Sequence, residues 1–156
     1  MSQKFRLVII ESPYAPSFPK PQGECDGSCY EPPHYTDCKY CSDTSKWHEE
    51  LQRNLHYVRA AMKDCLHRGE APYASHALYT QAGVLDDTLP EERKLGMEAG
   101  FAWRDVVEAS IVYNDLGISK GMQTGIDDAI AKGRPVEYRT LGPKWNKSKT
   151  LGPDWK

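Results

Sequence analysis

Short apolar runs alternate with amphipathic stretches along this chain, and that alternation limits its fold more than any other feature. Phe5–Ile10 reads FRLVII, with Arg6 the one polar residue, which predicts a buried strand. Leu51, Leu55, Val58, Met62 and Leu66 recur at three- and four-residue steps, so 47–68 is predicted to be an amphipathic helix that Gly69 ends. Ala71–Leu78 (APYASHAL) reads as a short strand with its C-terminal loop, followed by polar loop over 80–89. Pro90 opens a second helix, with Glu91 and Glu92 at the positive end of its dipole and Leu95, Ala99, Ala102 and Val106 as its small-residue face. Ala109–Tyr113 (ASIVY) is a third strand. Ser119 caps the next helix, whose expected buried stripe is Met122, Ile126, Ala129 and Ile130 and which Gly133 ends. Pro135–Arg139 reads as a last strand, since proline is tolerated at a strand's first position. Strands alternating with helices predict an α/β domain over 1–139, built on a parallel sheet of four to five strands flanked by helices.

Residues 12–45 break the pattern. They hold six of the eleven prolines and four of the five cysteines, with almost no aliphatic residues, and read as a long loop inserted into the domain. The spacing Cys25-x3-Cys29-x8-Cys38-x2-Cys41 suits a closed tetrahedral zinc site, structural rather than catalytic, in a loop too weak to fold alone. His34 and His48 can substitute for a thiolate, and two disulfides are the alternative. Cys65 reads as an ordinary buried thiol. Beyond 139 the chain repeats itself, TLGPKW at 140–145 and TLGPDW at 150–155. Residues 140–156 are expected to form an extended arm that lays its tryptophans on the domain or on a partner chain.

A formal net charge of −2, from 20 basic and 22 acidic residues, gives no global field that would recruit a nucleic-acid partner. Few basic residues (Lys20, Lys39) lie in the cysteine loop, which further disfavours phosphate-backbone binding. No apolar run approaches the roughly 18–20 residues that a membrane span needs, and no N-terminal signal pattern is visible. A cytoplasmic protein is the expectation. In a compact Rossmann- or flavodoxin-like sheet, ligands bind outside the C-terminal ends of the strands. Four segments are predicted to meet there: Glu11-Ser12-Pro13-Tyr14, Ser75-His76, Asp86-Asp87, and the loop carrying Asp115, Gly117, Ser119, Gly121, Met122 and Gln123. Free N–H groups at the last of these, with the Ser119 hydroxyl, can hold a phosphate or carboxylate, or Ser119 can be a plain helix cap.

ESPY after the first strand, Arg53-Asn54 in the first helix, Ser75-His76 after the second strand, and D-x-G-x-S-x-G-M before the last helix resemble the nucleoside 2-deoxyribosyltransferase-like proteins. The nearest likeness is to their small uncharacterised phage and bacterial members, over residues 5–139 without the insertion. The resemblance implies a domain that binds a nucleoside or nucleoside monophosphate, with Tyr14 near the base or sugar, Ser119 at a phosphate-binding position, and a homo-oligomeric assembly. It also implies a catalytic glutamate four residues after the S-x-G glycine and an aspartate in the third strand, where this chain has Gly125 and Ser110. Deoxyribosyl chemistry needs such a carboxylate at the anomeric carbon. Two expectations follow. The domain binds a nucleotide-derived molecule without cleaving it, suited to sequestration by a phage. Alternatively it is an N-glycosidase or deoxyribosyltransferase with relocated acids, Glu11 and Asp115 foremost, with Asp86, Asp87, Glu98 and His76 as further candidates. A third reading is an interaction module formed by the cysteine loop and the tail.

Overall fold

The computed structural model describes residues 4–25, 27 and 38–145. Eight elements follow one another: β1 (Arg6–Glu11), α1 (Lys39–His67), β2 (Glu70–Tyr73), α2 (Ser75–Leu78), α3 (Pro90–Trp103), β3 (Ala109–Tyr113), α4 (Lys120–Ala131) and β4 (Val136–Arg139). The strands form one parallel sheet in the order β2-β1-β3-β4. The fold is therefore the predicted Rossmann-like α/β sandwich, with four strands. The order reverses between β1 and β3, whose register pairs Ile10 with Ile111 and Glu11 with Val112.

Strand alternation sorts the core into two layers. Val8, Ile10, Ala109, Ile111 and Tyr113 face α1, where Tyr57, Val58, Ala61 and Cys65 cover them. Val112 faces the other way and packs with Met122 and Ile126 of α4 and with Val136. β2 is an edge strand with Pro72 inside it, opposite Val8. A proline is compatible with that position because an edge strand has one side free of ladder bonds.

Several expectations need correcting. α1 begins at Lys39, eight residues before the predicted start, inside the segment read as loop. Its first turns carry no apolar period because they present polar and cysteine side chains. The buried stripe of α1 is Asn54, Tyr57, Val58, Ala61 and Cys65, whereas Leu66 is 51% exposed. Three of those side chains have polar tips with partners, so a purely apolar count misplaces the stripe by one residue. The predicted strand over 71–78 stops at Tyr73, and Ser75–Leu78 makes a single helical turn. In α3 the small-residue face does not turn into the core: Leu95 and Ala102 are exposed, and Gly100 is the buried residue of the helix. The inner face is glycine because Ser75 lies so close that a Cβ at Gly100 would meet it at 3.1 Å. Ile130 is likewise exposed instead of buried.

The chain divides into two compact units, Met1–Pro13 with His56–Lys156, and Tyr14–Leu55. The second holds most of the cysteine- and proline-rich segment. Within it, Glu50 accepts from the Ser17 N–H and hydroxyl, and the Asn54 amide donates to the Tyr14 carbonyl at 3.0 Å. Among the described residues, no helix is long and apolar enough to cross a membrane.

Candidate functional site

The C-terminal ends of the strands deliver four short segments of the first unit: Glu11-Ser12-Pro13, Ser75-His76, Asn114–Ser119 and Thr140–Gly142. At the end of β1, Ser12 is buried and its hydroxyl lies 2.8 Å from His76 Nε2. Burial pulls His76 down to about 4, so the ring is neutral at pH 7. A neutral imidazole offers one donor and one acceptor, which suits it to a polar ligand or to accepting the serine proton.

Glu11 points to the opposite face, toward α4. Arg104 Nη2 donates to its Oε1 at 2.9 Å, and both side chains are 9% exposed. Burial lifts the Glu11 carboxyl to about 7, against the opposing pull of Arg104 and Arg134. The network continues through Asp128, whose Oδ2 lies 3.4 Å from Arg104 Nη1 and accepts from Arg134 Nη2 at 3.0 Å. Arg134 Nε donates to Ser110 Oγ at 3.0 Å. The Glu11 carboxylate lies directly against Gly125: a Cβ there would come within 3.0 Å of its Cδ and both oxygens. Two of the positions where the resemblance expects acids, 110 and 125, thus hold a serine and a glycine, and a carboxylate from β1 occupies the space beside them.

Asp115 serves a different purpose. Its carboxylate accepts from the Tyr57 hydroxyl at 2.6 Å and from the N–H groups of Leu141 and Gly142 at 2.9 Å. These donors hold its carboxyl below the usual carboxylate range despite burial that pushes it upward. The anchored segment is the first TLGPxW copy. Trp145 packs edge-on against Tyr57, with centroids 4.8 Å apart, and its carbonyl lies 3.0 Å from His56 Nε2. The arm thus lays this tryptophan on its own domain. The second copy, at 150–155, lies outside the described residues.

The remaining predicted residues are spread more widely. Gly117 has φ +83°, a conformation that favours glycine. Ser119 caps α4 by accepting from the Met122 N–H, and Met122 is buried. Gly121 and Gln123 are exposed on the first turn of α4, and Gln123 donates to Asp127. Asp86 accepts from the Thr88 N–H and hydroxyl in a local turn, and Glu98 lies on the exposed surface of α3 beside Lys94. Asp87 is paired with Arg93. Pro13 is buried beside Ser12. Tyr14 and Asn54 belong to the second unit, where the hydrogen bond given above joins them. Sequence reasoning missed Arg104, Arg134 and Asp128. Gly125 carried the usable signal: glycine inside a helix is unfavourable by about 1 kcal/mol, so its presence indicates a close approach.

In the second unit, the Sγ atoms of Cys25, Cys38 and Cys41 all lie within 4.8 Å of one another. Cys38 immediately precedes α1 and Cys41 follows one turn later, which brings two thiols to the start of the helix. The Cys25 and Cys38 sulfurs are 4.0 Å apart and unbonded, close to the ~3.8 Å edge of a tetrahedral zinc–sulfur site. These three cysteines can hold a metal ion. Cys29 and His34 lie outside the described residues. His48, the other alternative ligand, instead has Nδ1 2.9 Å from the Thr44 carbonyl. Cys65 is buried, 3.4 Å from the Tyr113 hydroxyl, and burial pushes its thiol up to about 11.

No curated protein and no solved structure matches the chain. A family model does, over residues 41–139, from the first turn of α1 to the last residue of β4. That span is more than half of the sequence, and the chain belongs to the family described as a domain of unknown function, DUF7768.

Proposed function

We propose that this domain binds a nucleoside or nucleotide-derived small molecule at the C-terminal edge of its sheet, in the crevice between β1 and β3. The observation that carries the reading is the strand order β2-β1-β3-β4, whose reversal lies between those two strands. In open parallel sheets that is where ligand-binding loops diverge. The Ser12–His76 pair supplies polar contacts on one side, and the Asn114–Ser119 loop lies on the other. The resemblance to deoxyribosyltransferase-like proteins selects the ligand class. Titration calorimetry with nucleosides and nucleoside 5′-monophosphates tests the reading, with chromatography of the recovered ligand. Saturable binding, weakened by H76A, with ligand returned intact is expected. No binding to any member of the series overturns it.

A second reading, N-glycosidase or deoxyribosyl transfer, is favoured by Glu11 alone. Its carboxylate occupies the space beside Gly125 and is held near neutrality, as a relocated acid would need to be. Release of free base by the wild type, abolished in E11Q while binding persists, supports this reading over simple binding.

We further propose that the cysteine trio holds a structural zinc ion, with Cys29 as fourth ligand. Elemental analysis should find about one zinc per chain. Retention of full zinc by C38S/C41S would exclude the site.

A further inference from the structure

The dock that holds the first TLGPxW copy reads particular residues of it. Asp115 Oδ2 accepts from the Leu141 N–H and Oδ1 from the Gly142 N–H, each at 2.9 Å. The Leu141 and Trp145 side chains pack on the core that α1 covers. Trp145 meets Tyr57 edge-on and lies 5.8 Å from the His56 ring, whose Nε2 is 3.0 Å from the Trp145 carbonyl. Gly142 has φ +70°, and a Cβ there would meet nothing within 4 Å, so the backbone turn and not lack of room selects glycine. Pro143 then fixes φ at the next residue. Thr140, Pro143 and Lys144 are exposed.

The second copy lies outside the described residues, but its sequence carries the same features. Leu151, Gly152, Pro153 and Trp155 repeat the residues that dock and turn, and the one difference between the copies is Asp154 in place of Lys144. A reversal of charge is tolerated at a side chain in solvent and would not be at one held in the dock. Identity between the copies therefore coincides with contact, and difference with exposure. We propose that Asp115, Tyr57 and His56 form a peptide-recognition site for the sequence L-G-P-x-W, and that 150–155 is its second ligand, replacing 140–145 within the same chain. In the exchange β4 stays in the sheet, and 140–149 leave as a ten-residue loop whose two ends are one peptide step apart. Closing such a loop carries an entropy cost that grows only with the logarithm of its length. The first copy, which follows β4 directly, avoids that cost and is the resident. The tether keeps the second at an effective concentration on the order of 1 mM. Exchange changes the exposed residue of the docked copy from lysine to aspartate.

Urea unfolding of the full chain tests the exchange. W155A should stay within about twofold of the wild-type unfolding constant, and W145A should rise several-fold. W145A/W155A should rise about tenfold above W145A, as loss of a tethered ligand at ten times its dissociation constant requires. In D115A, which lacks the acceptor, adding W155A to W145A should change nothing. The free peptide TLGPDW at about 1 mM should restore stability to W145A/W155A and not to D115A/W145A/W155A, and TLGPDA should restore neither. Phenylalanine at both positions carries the same comparison if the alanine pair fails to fold. A double variant equal to W145A overturns the proposal, as does a peptide without effect on it. So does a W145A stability that climbs with protein concentration, which would mean that the second copy reaches another molecule.

Discussion

Glu11, buried, and His76, half-buried, are two titratable groups on neighbouring strand ends, and desolvation moves them in opposite directions. The Glu11 carboxyl is raised from 4.5 to about 7, so the folded protein binds a proton that the unfolded chain releases. Stability from this group is gained as pH falls from 7 to 4.5. His76 is lowered from 6.5 to about 4, so its contribution is lost as pH falls from 6.5 to 4. Each effect is on the order of 3 kcal/mol, and over their shared window they nearly cancel. Urea unfolding between pH 4.5 and 7 should therefore be nearly flat in the wild type. E11Q should lose stability on acidification and H76Q should gain it; parallel curves for all three proteins would refute the opposition. The carboxylates held low (Asp64, Glu70, Asp115, Asp128 and Glu137) titrate below this window. G125A forces a methyl into the Glu11 carboxylate and is expected to destabilise by about 1–3 kcal/mol. The loss should shrink in G125A/E11A, and equal losses in the two backgrounds would show that the carboxylate is not what the glycine accommodates.

At the scale of elements, the C-terminal segment 140–145 belongs to the domain, fastened by Asp115 to α1 and to the end of β4. D115A removes the acceptor for three donors and should cost about 2–4 kcal/mol. D115N, which keeps one acceptor oxygen, should lose less. W145A should destabilise by a similar route, and D115A/W145A by less than the sum of the two, because either loss frees the same segment. Additive losses in urea unfolding would contradict a shared anchor. The order and type of the main elements were legible in the sequence, because the strand runs ASIVY and FRLVII and the Ser119 cap are local signals. The faces of α1 and α3 were not. Asn54, Tyr57 and Cys65 are buried through hydrogen bonds to groups remote in sequence, and hydrophobic periodicity is blind to those. In α3 the inward residues are glycines, which carry no hydrophobic signal. Ser12 and His76 were legible as strand-end residues, but their mutual hydrogen bond needed the register. Arg104 and Arg134 were illegible because a buried guanidinium looks like a surface one until its partners are placed.

For the whole molecule, the two units differ in what holds them. The first has a two-layered apolar core, whereas the described residues of Tyr14–Leu55 show side chain–backbone bonds from Glu50 and Asn54 and three clustered thiols. Stripping metal under reducing conditions should therefore expose 14–55 to protease while leaving β1, β3 and α4 protected, as mass spectrometry of the fragments would show. Equal protection with and without chelator would mean that the thiols carry no stabilising ion. Pro72 has a consequence at this scale. A parallel sheet with two bare margins is a template that can recruit strands from both ends without limit. With proline in β2, recruitment there is poisoned, and among the described residues the β4 margin is the one left to accept another strand. Two such margins that meet consume each other, so misassembly through the sheet stops at a pair instead of growing into a fibre.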